Sequence, residues 1–527
     1  MPETLTPLLY PYVAVVLHGL LEASHPLAPE VGDPYLPLLD VFTAVLVGVT
    51  WSWLSQSRAM TARLGRRDGM SLTANGLLLV GFGWAVLEYL GGAAHGATAS
   101  DPYAYVQMAV DLAQRGTPLH RFHLFPLIAD LGVRWWPIVH VGYHLPINPV
   151  GDAPTVWPIG WSVLLAAAYR LFGDRALYLA APVAGLLSLI ALWFLGKRAL
   201  PGSLPERRLA SAVAVLVLAT SFEQVDRLLV PMADAAAQLF TTLTILFLWR
   251  GLEGDEKTPR PWLWVLLTGL SFGWAYFVRH TLLVLGIVLA GATWFRFRHD
   301  RHNTWTFLTW FGVGAFLAVL PDIAYRWYVF GSPLRPESPE LTLFSLANVP
   351  TTTRAMVRAA LRGFEFGPLA LLLLLGSFNL PRWGTCGRRL LLLLLAWIGA
   401  VVVVQLPYGP LRLRDLLAAF PALCLLVGWG TVRLWQWVTA RSVVSERRYL
   451  KRATGLFLML LAFALRSHWV ITWPWQPHEA TLWLSDYGSA SQFRATDDAD
   501  ARREHHWLYT EQRRCGFIRT ARCISPC

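Results

Sequence analysis

Apolar residues run through this chain in long blocks, separated at short intervals by arginine-rich turns. Blocks lie near 8–22, 36–56, 74–94, 177–196, 207–222, 233–250, 262–278, 280–297, 304–324, 366–380, 389–406, 416–438 and 453–473. Each approaches the roughly 20 apolar residues that cover about 30 Å of hydrocarbon at 1.5 Å per residue. The pattern predicts an all-α integral membrane protein of about 13 transmembrane helices.

The turns give the sidedness. Arg58, Arg63, Arg66 and Arg67 share one; Lys197, Arg198, Arg207 and Arg208 another; then come Arg250, Lys257 and Arg260, then Arg296, Arg298 and Arg301, then Arg382, Arg388 and Arg389, and finally the run from Arg433 to Arg452. Short basic loops stay in the cytoplasm. All of these do so if every block crosses once, with the N-terminus inside and the C-terminal tail outside. A further apolar segment, 156–172, would break that count. It is expected to lie along the outer face, where Trp157, Trp161, Tyr169 and Arg170 suit an interface.

Composition agrees. The chain is 55% apolar and 15% charged, against about 25% charged in ordinary soluble chains. A soluble enzyme, a disordered chain and a disulfide-rich module are all disfavoured. The net charge of +12 is accounted for by cytoplasmic loops, and no nucleic-acid partner is expected, because no basic stretch carries interleaved aromatics. The N-terminus lacks the basic region and cleavage site of a signal peptide. Of five cysteines, Cys515, Cys523 and Cys527 crowd the end without a zinc-site spacing; one disulfide there is compatible with an external tail.

Three outward stretches are long enough for chemistry: 95–155 with its extension to 176, 325–365, and 466–527. The first opens SDPYAY and continues with Tyr105, Met108, Ala109, Leu112 and Ala113 at helical spacing up to Gly116, an amphipathic juxtamembrane helix. Asp101 is read as its N-cap with Pro102 at N1, a position equally suited to a fixed carboxylate at a cavity mouth. Asp234 opens a span, where the helix dipole favours an acid but an ionisable group also marks a polar cavity. Glu223, Asp226 and Arg227 precede it. Arg279 and His280 join two apolar blocks. Arg412, Arg414 and Asp415 precede another, either gripping a phosphate or pairing among themselves. Asp40 and Glu88 fall within spans and are expected to face the bundle. His120, His123, His140 and His144 are expected to be solvated or interfacial, since no zincin glutamate follows them. A phosphate-binding glycine loop, a nucleophile elbow and a dinucleotide fingerprint are all missing, so no nucleotide or redox cofactor is expected.

The order SDPYAY, PTVWPIGWSVLLAAAYRLFG, FLGKRALPG, VPMADAAAQLF, GLSFGWAYFVRHTLLVL, YRWYVFGSPLRP and PYGPLRLRDLLAAFPAL resembles the GT-C type membrane glycosyltransferases, with the protein O-mannosyltransferase and aminoarabinose-transferase branch the nearest likeness. The resemblance covers roughly 75–475. It implies a polyprenyl-phosphate sugar as donor and transfer outside the cytoplasm, in the cell envelope, with a bacterial cytoplasmic membrane as the setting. Asp101 matches the family's first-loop catalytic acid, Asp234 the acid of a P-x-x-D segment, and Arg279 a basic position after the glycine-rich span. The segment with Arg412 and Arg414 is similar to the late arginine segment near the lipid phosphate, without the tyrosine often found there. The acid–lysine pair that some members carry before the Pro-rich segment is missing, with Asp152 a loose substitute. Tyr103, Tyr105, His280 and Asp152 are the candidate sugar or acceptor contacts. The implied organisation is an N-terminal hairpin and basic loop (1–73), a catalytic membrane domain (74–473) with outer loops 95–176 and 325–365, and a polar outer tail (474–527).

The chemistry follows from the residue types. Transfer to a hydroxyl needs its proton removed, and Asp101 can serve as general base. The leaving lipid phosphate has a second pKa of about 6, so it needs positive charge rather than a general acid. Arg279, Arg412 and Arg414 can supply it, or a divalent ion such as Mg2+ or Mn2+ on Asp101 and Asp234 can share the task; both arrangements stay open. Direct displacement would invert the anomeric centre. A multi-span transporter or lipid-linked-sugar flippase is the competing reading; it would carry internal repeats and charges along a path, whereas these acids gather on one face. The expected acceptor is a lipid, a polysaccharide or a protein.

Overall fold

The structure, a computed structural model, describes residues 66–439 apart from 92, 95, 98–99, 129–138, 140–141, 254–260, 334–338, 362–364 and 379–383. The expected spans 8–22, 36–56 and 453–473, Asp40, His140 and the tail 474–527 lie outside the described residues.

The chain is almost wholly helical. In order come α1 (Arg66–Gly91), α2 (Ser100–Arg115), the two-residue strands β1 (His120–Arg121) and β2 (Asp152–Ala153), α3 (Gly160–Phe172), α4 (Asp174–Ala199), α5 (Leu204–Ala219), α6 (Phe222–Leu228), α7 (Asp234–Glu253), α8 (Pro261–Val278), α9 (Leu285–Phe297), α10 (Arg301–Phe330), α11 (Val349–Leu361), α12 (Ala370–Phe378), α13 (Gly384–Gln405) and α14 (Phe420–Thr439). Among the described residues seven helices are long and apolar enough to cross a membrane, or eight if the bent pair α5–α6 counts as one span. Three expected crossings differ from their apolar blocks. The block 207–222 breaks at Thr220 and turns by 59°. The block 366–380 becomes a 3-10 turn and the nine-residue α12. α8 is apolar but shorter than a full span.

The bundle is packed by small residues, since helices in hydrocarbon associate through close contact rather than by expelling water. α12 crosses α14 and α8 crosses α10, while α5 sits between α1 and α14. At the first crossing a Cβ on Gly430 would collide with the carbonyl oxygen of Leu372, and one on Gly376 with that of Leu426. α14 is enclosed on nearly all sides, with Trp429, Leu425 and Val432 buried.

The described part of 100–172 packs against the bundle through its two helices. α2 packs on α3, tied by the Ser162 hydroxyl donating to the Tyr105 carbonyl (2.8 Å) and Arg170 Nε donating to the Ala113 carbonyl (2.9 Å). Gly116, at φ 69, ends α2 as its spacing predicts. The helix starts at Ser100, so Asp101 stands in the first turn rather than at the cap, still at the positive end of the dipole. The segment 156–172 yields the 13-residue α3, too short to span. β1 and β2 pair antiparallel, His120 opposite Ala153 and Arg121 opposite Asp152.

Candidate functional site

Segments far apart in the chain meet at one cavity of about 320 Å³. The start of α2 brings Asp101 and Tyr105, the turn before α7 brings Met232, Ala233 and Asp234, the α8–α9 junction brings Arg279 and His280, and the segment after α13 brings Tyr408, Arg412, Arg414 and Asp415. α10 adds Arg326.

Each position is fixed locally. Asp234 follows a turn held by Trp161 Nε1 donating to the Pro231 carbonyl (3.0 Å) and the Ala94 amide donating to the Leu229 carbonyl (2.8 Å). That turn leaves α6, whose first turn is capped by a distant acid: Glu365 accepts the Ser221 hydroxyl (2.8 Å) and the Glu223 amide (2.7 Å). Behind Asp234, Gln238 accepts from the Ser188 hydroxyl and donates to the Leu417 carbonyl, tying α4 and α7 to the segment that carries the late arginines.

The charges form a mesh. Arg279 Nη1 lies 2.5 Å from Asp234 Oδ1, and its Nη2 lies 2.6 Å from Asp415 Oδ1. Asp415 also accepts the Arg412 amide at 3.0 Å, which sets the backbone of the 3-10 turn Leu413–Ala419. Arg414 Nη2 lies 3.3 Å from Asp101 Oδ2. The carboxylates of Asp234 and Asp415 are almost enclosed, at 6% and 7% side-chain exposure. Buried carboxylates are costly unless paired, and one guanidinium fork serves both. Tyr105 is buried beside them; enclosure pushes its phenol well above the ordinary range, with Asp101 and Asp234 adding to the effect. It therefore remains a neutral hydrogen-bond donor.

Of the residues singled out in the sequence, Asp101, Asp234, Arg279, Arg412, Arg414, Tyr105 and His280 line this cavity. Tyr103 and Asp152 do not. Tyr103 packs with the Phe122–Tyr143 cluster. Asp152 is bound by Arg121 Nε (2.8 Å), Arg115 Nη2 (3.0 Å) and Asn148 Nδ2 (2.9 Å), and the Arg121 fork holds its carboxyl below the usual carboxylate range. Asp152 thus closes the 116–155 loop. His120 is buried rather than solvated, with Nδ1 2.8 Å from Asp111 Oδ2: Asp111 accepts from Gln107 and Arg115 as well.

Sequence reading passed over Asp322 and Arg326. They stand one helical turn apart in α10, with His280 Nε2 3.2 Å from Asp322 Oδ2. The signal was present as an acid and an arginine at i, i+4 in an otherwise apolar block, a spacing that places both on one face.

As a metal centre the donor set fits poorly. Carboxylate oxygens suit Mg2+ or Mn2+, but an ion on Asp101 and Asp234 would have to displace Arg414 and Arg279. Among the described residues no three His, Cys, Asp or Glu side chains converge as a metal-binding group.

Residues 157–325 match the family described as dolichyl-phosphate-mannose-protein mannosyltransferase. The fold is similar to the oligosaccharyltransferase of Archaeoglobus fulgidus in its apo form, at 12% identity and TM-score 0.53, covering 79% of this chain and 58% of that one. Two further likenesses are the archaeal oligosaccharyltransferase AglB of Archaeoglobus fulgidus with an inhibitory peptide and a dolichol-phosphate (12%, TM-score 0.48, 79% and 59%) and ArnT of Cupriavidus metallidurans bound to undecaprenyl phosphate (14%, TM-score 0.45, 76% of each). The chain thus spans a little under three fifths of the archaeal enzyme. No curated protein matches it in sequence.

Proposed function

We propose that this protein is a GT-C type membrane glycosyltransferase, a reading supported by the matched family and the shared fold, and that it moves a sugar from a polyprenyl-phosphate donor to an acceptor hydroxyl on the extracytoplasmic face of the membrane. The described helices would form the greater part of a chain of about 13 crossings. The observation that carries the reading is the convergence of Asp101, Asp234, Arg279, Arg412 and Arg414 on one cavity. The matched family supports the donor class, since it is described by a dolichyl-phosphate sugar.

In this reading the donor phosphodiester is held by Arg412 and Arg414, with Arg279 behind them. Asp101 takes the proton of the acceptor hydroxyl. The acceptor oxygen forms a bond to the anomeric carbon as the bond to the phosphate oxygen breaks, and the phosphate leaves as a dianion stabilised by the arginines in a low-dielectric site. Displacement from the opposite side inverts the anomeric centre. Asp234 holds Arg279 in place. Arginine supplies the positive charge in this arrangement, with Asp101 and Asp234 engaged by guanidinium groups; a divalent ion on those two carboxylates is the alternative.

The test uses full-length protein in liposomes with radiolabelled undecaprenyl-phosphate sugar and a panel of lipid, polysaccharide and peptide acceptors. Release of undecaprenyl phosphate should require acceptor, and Asp101→Asn should lower it by about 10²–10⁴-fold with the protein still folded. Turnover unchanged by EDTA would assign the charge to arginine alone, and loss restored by Mg2+ or Mn2+ would assign a share of it to a metal. Full turnover by Asp101→Asn defeats the base assignment. Movement of labelled donor without bond cleavage establishes transport instead.

A further inference from the structure

The charged mesh takes up only part of the cavity wall. The rest of the lining includes Trp157, Leu341, Phe344 and Tyr408, together with two uncharged hydrogen-bonding side chains, Thr281 and Gln405. The Phe344 and Tyr408 rings lie against one another, with centroids 5.0 Å apart.

Gln405 is the last residue of α13 and follows the run Val401–Val404. It is only 5% exposed. A side-chain amide so enclosed is costly unless its donors and acceptor are used. Its Nε2 donates to Thr281 Oγ1 at 3.4 Å, long for such a bond. Its Oε1 has no partner among the described residues, and the side chain lines the cavity. Other buried glutamines behave differently. Gln238 is engaged at both ends of its amide, accepting from the Ser188 hydroxyl and donating to the Leu417 carbonyl. The Oε1 atoms of Gln107 and Gln224 also lack partners among the described residues, but they are sealed inside the protein, beyond the reach of a ligand. Gln405 alone of these four combines an unused amide oxygen with a place on the cavity wall.

Thr281 completes the pair. It stands two residues after Arg279, on the 3-10 turn His280–Val284 against which α13 packs. A hydroxyl that accepts from an amide can still donate its own hydrogen. Thr281 and Gln405 therefore present a donor and an acceptor side by side, without charge. Exchanging the amide nitrogen and oxygen leaves that character intact, because the hydroxyl serves in either sense. A ring hydroxyl, itself donor and acceptor, is the matching group. Apolar and aromatic walls with a few placed polar groups are the usual means of orienting a small ligand.

We propose that Thr281 and Gln405 form a hydroxyl-recognition subsite for a neutral saccharide ring and select which sugar the protein accepts. The proposal rests on the transferase reading for the presence of a saccharide. It adds a specificity pair to the arginines that hold the phosphate. A site of this kind rejects the analogue that lacks the hydroxyl, because the enclosed amide is then left unpaired.

The test is binding to the full chain in lipid nanodiscs. The probes are undecaprenyl phosphate, undecaprenyl-phosphate mannose and glucose, the monodeoxy forms of both, and the corresponding methyl glycosides with and without undecaprenyl phosphate. Removal of one particular hydroxyl should weaken binding to the parent by about tenfold or more. Gln405→Met and Thr281→Val should each lose about as much on the intact sugar, and should bind that deoxy probe as the parent does, within about twofold. Both should bind undecaprenyl phosphate like the parent, which also reports that they are folded. Loss on the lipid-linked sugar assigns the ring to the donor, and loss on the methyl glycoside assigns it to the acceptor. The subsite is disproved if no hydroxyl of either sugar matters to the parent, or if both variants bind the intact sugars unchanged. Equal weakening of intact and deoxy probes, or loss of undecaprenyl phosphate binding, would also overturn it, since the pair would then only support the fold. Failure of the parent to bind undecaprenyl phosphate would instead count against the transferase reading, while the methyl glycosides would still report on the pair.

Discussion

Arg414 lies 3.3 Å from Asp101 across 313 residues of chain, so the candidate base and a candidate phosphate ligand are neighbours before any substrate arrives. Replacing Arg414 by Gln should lower kcat by about 10²–10³-fold, the cost of removing one preorganised donor to a developing oxyanion. Donor affinity should fall with it, and single-turnover kinetics with radiolabelled donor separates the two effects. An unchanged rate would remove Arg414 from the site.

Arg279 neutralises two enclosed carboxylates at once. Arg279→Gln removes the guanidinium that Asp234 and Asp415 share, and breaking a buried pair in this way costs about 3–5 kcal/mol. Scanning fluorimetry in detergent should show a clear drop in Tm. Asp234→Asn combined with Asp415→Asn should restore much of it in the Arg279→Gln background, since no charge is then stranded, without restoring turnover. A triple variant no more stable than Arg279→Gln would argue against charge as the cause.

Asp152 gives the loop between α2 and α3 a defined acid limit. Its carboxyl sits below the usual range because of Arg121, Asn148 and Arg115, so its contribution to stability is complete above the unfolded value near 3.9 and is lost as pH falls through the lower folded value. Between pH 7 and 5 the loop should be indifferent to pH. Below about pH 4 the amides of Phe122 and Ile147, which donate to Gly151 and Asp152, should lose protection from hydrogen exchange. In Asp152→Asn that protection should be lower throughout and lack the acid step.

Gly430 meets the Leu372 carbonyl with no room for a side chain. Gly430→Val should force α12 away from α14 and destabilise by about 1–3 kcal/mol or more, read as a lower Tm. Gly312, with nothing near its Cβ position, is the control: Gly312→Ala should be neutral or slightly stabilising.

Apolar periodicity was enough to locate α4, α7, α10 and α13 to within a few residues, because a span must satisfy its own backbone and advertises its length. It failed at Thr220 and in 366–380. There the chain bends or shortens to meet Glu365 and the α14 crossing, and such contacts leave no trace in a window of hydropathy. The site was legible where charge interrupts an apolar block, as at Asp234, Arg279 and the Arg412–Asp415 run. Asp322 and Arg326 obey the same rule and were missed because α10 reads as a continuous span. Asp152 shows the opposite limit: its position suggested chemistry, and only the register of β1 with β2 shows that it fastens a loop.

One wall of the cavity is clipped to another by main chain. Phe344 and Tyr408 form an isolated antiparallel bridge, and the Ser345 amide donates to the Pro407 carbonyl at 2.9 Å. Asn348 Nδ2 adds a bond to the same carbonyl. The gap between these walls is thus gauged by peptide geometry rather than by side-chain packing. Point substitutions along it should reshape chemistry without altering girth, and a homologue that admits a bulkier guest would be expected to differ by insertion or deletion on one side of that clasp.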